Sequence, residues 1–251
     1  MAMTEFVSVR DAGGIREIRM LRADKKNALD FAMYDALAAA FESANAADIR
    51  CVLIGGVPGA FCAGNDLKDF QIMASERSGL GAPILRFLHA LARCEKPVVA
   101  AVQGVAVGIG TTMLLHCDYV VAASDARFMT PFVSLGLLPE AGSSLLAPRL
   151  MGERRAFALL AMGLPLEAQE AKACGLVNAV CAPAEVEAEA RKAAERIVAL
   201  PPQALAVTRR LVRGAPEAIV ARIDEEAAHF QKRLQSDEAQ AAFKAFFERK
   251  K

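Results

Sequence analysis

The sequence predicts an α/β fold in which strand–turn–helix units build residues 1–200 and helices alone make up residues 201–251. Three observations carry this. Residues 97–143 open on an apolar, β-branched run, Val98–Val102, pass through a glycine-spaced turn (Gly104, Gly108, Gly110), and continue as small apolar residues over 111–115 that read as a buried helix. A second glycine turn, residues 57–67, also follows a β-branched run and lies about 45 residues earlier, which makes a weak internal repeat. Beyond Gly142 the apolar spacing is that of helices.

Taken in order, residues 6–9 and 15–21 are two short strands joined by a turn at Asp11-Ala12-Gly13-Gly14. Residues 22–29 are polar and without period, so they form a loop. Asp30 caps an Ala-rich helix over 31–45. Residues 51–54 are a buried strand, and the turn that follows opens a helix with Asp66 as its cap. Gly79 and Gly81 break the chain before an amphipathic helix over 82–93. Helices then cover 152–162, 167–173, 183–200 and 203–213, with a strand over 176–180. Pro201-Pro202 and Gly214-Ala215-Pro216 interrupt them, and residues 217–251 read as one long helix with a basic end.

Composition narrows the function. Apolar residues make up 54% of 251, much of it Ala and none of it Trp, which favours helices around a well-buried core. A net charge of +1 argues against a nucleic-acid binder. The N-terminal residues lack the cationic-then-apolar pattern of a secretory signal. No apolar run reaches the ~18 residues of a membrane span. A soluble, cytoplasmic protein is expected. The six cysteines show no C-x-x-C spacing and read as buried small hydrophobes. His89, His116 and His229 are scattered, with no metal-ligand spacing, so they read as structural or surface residues.

The glycine turns do not make a nucleotide site: Met113 stands where a third glycine would be needed, and no P-loop pattern occurs. Ser143 and Ser144 lack the G-x-S-x-G surroundings of an elbow nucleophile. Each turn leaves unpaired N–H groups at a helix start, and parallel strands would bring both turns to one end of a sheet. Glu140 follows the apolar run Leu135–Pro139 and precedes small residues. Residue types alone leave two readings: a carboxylate complementing a helix dipole, or an acid/base beside an N–H trap.

Phe61-Cys62-Ala63-Gly64-Asn65-Asp66-Leu67 with Gly104-x-Ala106-x-Gly108 resembles the crotonase superfamily, the enoyl-CoA hydratase/isomerase fold. The resemblance extends to the 97–102 strand, Cys117-Asp118 and residues 171–177. It implies a spiral of ββα units, a C-terminal helical region that drives trimerisation, and an acyl-CoA substrate whose thioester oxygen is held by two backbone N–H groups. Here those donors fall on Asn65 and Ile109, the latter at a position the family usually gives to Gly. The loop with Lys26, Asn27 and Ala28 matches the segment along CoA. Ala63, Gly64, Asp66, Leu67 and Gly108 flank the donors. Phe246 and the basic residues after it resemble the tail that closes over CoA. Ile109, Phe132 and Met73 would shape the acyl pocket.

The two glutamates a hydratase uses match Thr112 and Phe132 here, so water addition has lost its acid–base pair. The pattern from Thr130 to Ser144, with Glu140 at its centre, is similar to the peroxisomal-type Δ3,Δ2-enoyl-CoA isomerases. That implies Glu140 as the single acid/base of a 1,3-proton shift, its ionisation raised by apolar neighbours. No metal or redox cofactor is implied, CoA arrives as part of the substrate, and a homotrimer or dimer of trimers is expected. The alternatives are another crotonase reaction on acyl-CoA, as in a generic enoyl-CoA hydratase, or a non-catalytic acyl-CoA-binding member.

Overall fold

The computed structural model describes residues 5–46, 48–66, 69 and 80–248, the side chains of Phe246 and Phe247 excepted. Its centre is a six-stranded sheet. β1 (Val7–Ala12) and β2 (Ile15–Met20) form the expected antiparallel hairpin. β2 then lies parallel to β3 (Cys51–Gly55), which lies parallel to β5 (Val98–Val102). β7 (Tyr119–Ala123) and β10 (Ala179–Cys181) complete the parallel part. Every residue of β3 and β5 is buried, as their continuous apolar sequence requires of strands covered on both faces.

Helix α1 (Phe31–Ser43) begins where Asp30 Oδ1 accepts the Met33 N–H at 2.9 Å. It packs on α2 (Ala82–Ala92), with Phe87 meeting Tyr34 and Phe41 at ring-centroid distances of 5.6 and 6.1 Å.

A second, four-stranded sheet sits where the sequence reading placed only turns. β4 (Ala60–Cys62) and β6 (Val105–Val107) lie inside the two glycine turns and pair with each other in parallel. β8 (Arg127–Met129) pairs with β6, and β9 (Leu166–Glu167) with β8. Each of these strands is at most three residues long and exists because a non-local partner supplies its ladder, so local pattern does not reveal it. The helix expected after Asp66 falls outside the described residues. The one expected over 111–115 starts earlier, as α3 (Ile109–Thr112), and tightens into a 3₁₀ turn over Met113–His116. The strand expected over 176–180 forms at β10 instead.

Past this point the helices are α4 (Ser143–Met151), in line with the helical spacing beyond Gly142, α5 (Glu153–Leu160), α6 (Ala168–Ala173), α7 (Val186–Val198) and α8 (Pro202–Arg213). α7 lies across β3, β5 and β7. The single long C-terminal helix is in fact two, α9 (Glu217–Leu234) and α10 (Asp237–Glu248). Ser236 makes the break: its hydroxyl accepts the Ala239 N–H at 3.2 Å and starts a new helix. Ile219, Ile223 and Phe230 of α9 are buried in the same apolar core as the sheet. Among the described residues no helix is long and apolar enough to cross a membrane.

Candidate active site

Pairing of β4 with β6 sets the site. It lays the two glycine turns side by side, so that Gly64-Asn65 and Gly108-Ile109 leave their strands at the same end. The approach is close: a Cβ on Gly64, whose φ is +96°, would stand 3.1 Å from the Val107 carbonyl oxygen. The first turn is tied down by the loop before α1. Ala63 N–H donates to the Lys26 carbonyl at 2.9 Å, Leu29 N–H to Gly64 at 2.8 Å, and Asp66 N–H to Leu29 at 2.8 Å. Neither the Asn65 N–H nor the Ile109 N–H is taken by a hydrogen bond among the described residues. Ile109 opens α3, so its free N–H is one of the unpaired donors of a helix start. The Asn65 side chain is fixed from behind, by the buried Tyr34 hydroxyl donating to Oδ1.

In front of the turns lies a cavity of about 690 Å³. Of the residues the sequence points to, Lys26, Ala28, Ala63, Gly64, Asn65, Asp66, Gly108 and Phe132 line it. Met129, Leu135, Leu137 and Phe243 add apolar wall, and the exposed Asp24 and Lys25 stand with Lys26 on its polar side. Two expected residues are elsewhere. Asn27 is buried and turned inward: its Oδ1 accepts the Arg22 N–H at 2.8 Å, and its Nδ2 donates to the carbonyls of Ala60 and Phe61 at 3.0 and 3.1 Å. Its positive φ of 55° turns the loop so that the side chain braces β4 rather than facing the cavity. Ile109 is also fully buried, so its side chain does not shape the pocket. Leu67 and Met73 fall outside the described residues, as does the Phe246 side chain. Asp66 pairs with Arg22 at 2.8 Å.

Glu140 does not line the cavity; it is 2% exposed. Its Oε1 accepts the Thr112 hydroxyl at 2.5 Å, while Oε2 is buried with no partner among the described residues. Burial pushes its pKa up to about 8, against the Thr112 hydrogen bond, which lowers it, with the charge of Glu226 adding to the rise. Thr112 belongs to the same short helix as Ile109, so the hydroxyl that holds the buried carboxyl and an unclaimed N–H share one support.

The chain just past Glu140 is strained and clamped. Ala141 has φ +63° and Gly142 φ +67°. The His116 Nε2–H donates to the Ala141 carbonyl at 2.7 Å, and because a carbonyl only accepts, this fixes the ring tautomer. Burial holds the His116 pKa down to about 4, so the ring is neutral. Glu226 of α9 accepts the N–H groups of Gly142 and Ser144 at 2.6 and 2.9 Å and the Ser144 hydroxyl at 2.6 Å. It thereby caps α4 from a distant part of the chain. Tyr34 and Glu226 are not among the sequence-predicted residues, Thr112 figures there only as the position of a missing hydratase glutamate and His116 only as a structural or surface residue, because what each holds depends on partners far along the chain. A lone polar residue in an apolar run, such as His116, was the available signal. Among the described residues no group of three or more His, Cys, Asp or Glu could hold a metal ion.

Paired unclaimed N–H groups beside an apolar cavity, with a buried carboxylate on their support, are a constellation suited to stabilising an enolate and moving a proton. The enoyl-CoA hydratase/isomerase family model matches residues 10–251, and the chain belongs to that family of acyl-CoA enzymes, with the crotonase fold. It is 35% identical over 249 residues to enoyl-CoA delta isomerase 2 of Rattus norvegicus, covering 97% of this chain and 64% of that protein's length. It is 32% identical to the 1,2-epoxyphenylacetyl-CoA isomerase of Escherichia coli (strain K12), covering 85% of this chain and 84% of that one. Among solved structures, OdaA of Pseudomonas aeruginosa superposes with a TM-score of 0.91 at 43% identity, covering 97% of this chain and 99% of the other.

Proposed function

We propose that this protein is a Δ3,Δ2-enoyl-CoA isomerase that moves the double bond of a 3-enoyl-CoA to the 2-position. The observation that carries the reading is Glu140: one buried carboxylate with one oxygen held and the other unpartnered, on the support of an unclaimed N–H. Glu140 removes a C2 proton, the thioester oxygen takes the negative charge between the N–H groups of Asn65 and Ile109, and Glu140 returns the proton to C4. A single base suffices because the proton lost and the proton gained are equal in number. Each N–H contributes about 2.7–4 kcal/mol to the charged transition state. Lys25 and Lys26 at the polar side suit the phosphates of CoA, and Phe132, Leu135 and Phe243 suit the acyl chain. CoA is part of the substrate, and no metal or redox cofactor enters the reaction. Exposed apolar residues on α8, Leu211 at 78% and Val212 at 81%, support burial against further copies, as in a homotrimer or dimer of trimers.

The second reading is another acyl-CoA reaction on the same N–H pair. It is favoured by Glu140 standing off the cavity wall. The deciding experiment follows absorbance of the conjugated thioester with 3-hexenoyl-CoA. Wild type should raise it, and Glu140→Ala should lower the rate by about 10²–10⁴-fold. No rise in wild type, with hydration of crotonyl-CoA in the same buffer, would overturn the isomerase.

A further inference from the structure

We propose that Thr112 is the positioning residue of this site: its hydroxyl holds Oε1 of Glu140 in both protonation states, which leaves Oε2 as the oxygen that takes and returns the proton. The inference rests on Glu140 being the acid/base.

The Thr112 hydroxyl has two neighbours that can accept from it, Oε1 of Glu140 at 2.5 Å and the Gly108 carbonyl at 3.3 Å. It has one proton to give. The shorter contact to a carboxylate takes it when Glu140 is ionised. When Oε2 carries the substrate's proton, Oε1 is still an acceptor and the bond persists. When the acid proton sits on Oε1 instead, the hydroxyl accepts it and rotates its own proton to Gly108. No buried polar group loses its partner in any state, so the carboxyl can cycle without moving. Thr112 and Ile109 are both in α3, so the held oxygen and the N–H donor stay in register.

The charges around Glu140 leave Thr112 as its one hydrogen-bond partner among the described residues. Glu226, from α9, repels its charge. Tyr34, from α1, is held well above its ordinary ionisation, and burial pushes the Cys62 thiol, from β4, up to about 12, so both stay neutral. His116 is spent on Ala141, and its own carbonyl accepts from Arg213 at 2.6 Å.

Thr112→Val keeps the shape and removes the hydroxyl; Thr112→Ser keeps the hydroxyl. Two readouts apply: the pH profile of kcat with 3-hexenoyl-CoA, and an infrared titration of the Glu140 carboxyl, identified as the band lost in Glu140→Gln. Thr112→Val should raise the ionisation by about one to two pH units, the worth of one hydrogen bond to a charged group. It should slow turnover at neutral pH by at least about tenfold. Thr112→Ser should restore both. A Thr112→Val protein that titrates as wild type, or a folded Thr112→Ser that fails as Val does, overturns the proposal. The infrared titration needs no turnover, so an enzyme inactive on 3-hexenoyl-CoA would sink the isomerase reading while still deciding what Thr112 holds.

Discussion

Glu140 and Glu226 are both buried glutamates, 2% and 4% exposed, and they flank the same strained turn. They are satisfied very differently. Glu226 accepts three hydrogen bonds, and Arg222 lies close by, its Nη1 donating to Ser144 Oγ at 3.1 Å. Burial raises its pKa, but the Ser144 and Gly142 donors and the Arg222 charge all oppose the rise. Glu140 has one donor and an orphaned oxygen, and its pKa is pushed up to about 8. A buried carboxylate whose lone pairs are filled is a structural element. One left half-filled costs stability and remains reactive. The difference supports the proposed acid/base role of Glu140 and a structural one for Glu226, which sequence position alone would not separate.

That contrast can be broken in solution. The largest expected effect is on Glu140. Its folded pKa lies above the ordinary 4.5, so the folded protein holds this proton longer than the unfolded chain. The stability this gives is complete below about 4.5 and is lost as pH rises toward about 8. Glu140→Gln carries no such loss. Thermal melts should match wild type near pH 4.5 and diverge upward with pH. The gap should level off above pH 8 at about 2–4 kcal/mol in favour of Gln, while turnover is abolished. A gap that does not change with pH would show that Glu140 carries no burial penalty. Glu226→Ala should do the opposite. It strands two N–H groups at the start of α4, at about 1–3 kcal/mol for each group left unmet. A fall in Tm of several degrees is expected, with activity lost in proportion as the Glu140 segment shifts. An unchanged Tm would make the clamp decorative.

Much of this was legible in the chain. The hairpin, the Asp30 cap and the long apolar strands follow from local pattern, because a cap or an alternation is decided within a few residues. Glu140 does not: residue types alone leave it between a helix-dipole carboxylate and an acid/base, and only the family resemblance of the 130–144 pattern singles it out. The strands inside the glycine turns were not legible, since Ala60–Cys62 extends only because Val105–Ala106 lies beside it. Asn27 was legible as part of a polar, aperiodic loop resembling the segment along CoA, but not as an inward brace, which depends on its left-handed backbone. Glu226 lies 84 residues from the N–H it accepts; its spacing from Ile223 and Phe230 puts it on the buried face of α9, but nothing local says which donors it meets there.

The smallest effect separates the clamp from the turn itself. Ala141 is fully buried and left-handed, which costs about 1–2 kcal/mol for a residue with a Cβ. Ala141→Gly relieves that strain. It also loses a buried methyl, about 0.8 kcal/mol, and adds unfolded-chain freedom, about 0.4–1 kcal/mol. The contributions nearly cancel, so stability should stay within about 1 kcal/mol of wild type, or a Tm change of about 2–4 °C at most. If His116 and Glu226 hold the turn, the rate should change by less than about tenfold, because both clamps grip backbone atoms that Gly retains. A loss approaching that of Glu140→Ala would mean that the Ala141 methyl, by restricting the backbone, places the carboxylate, and that the clamp serves only to stabilise α4.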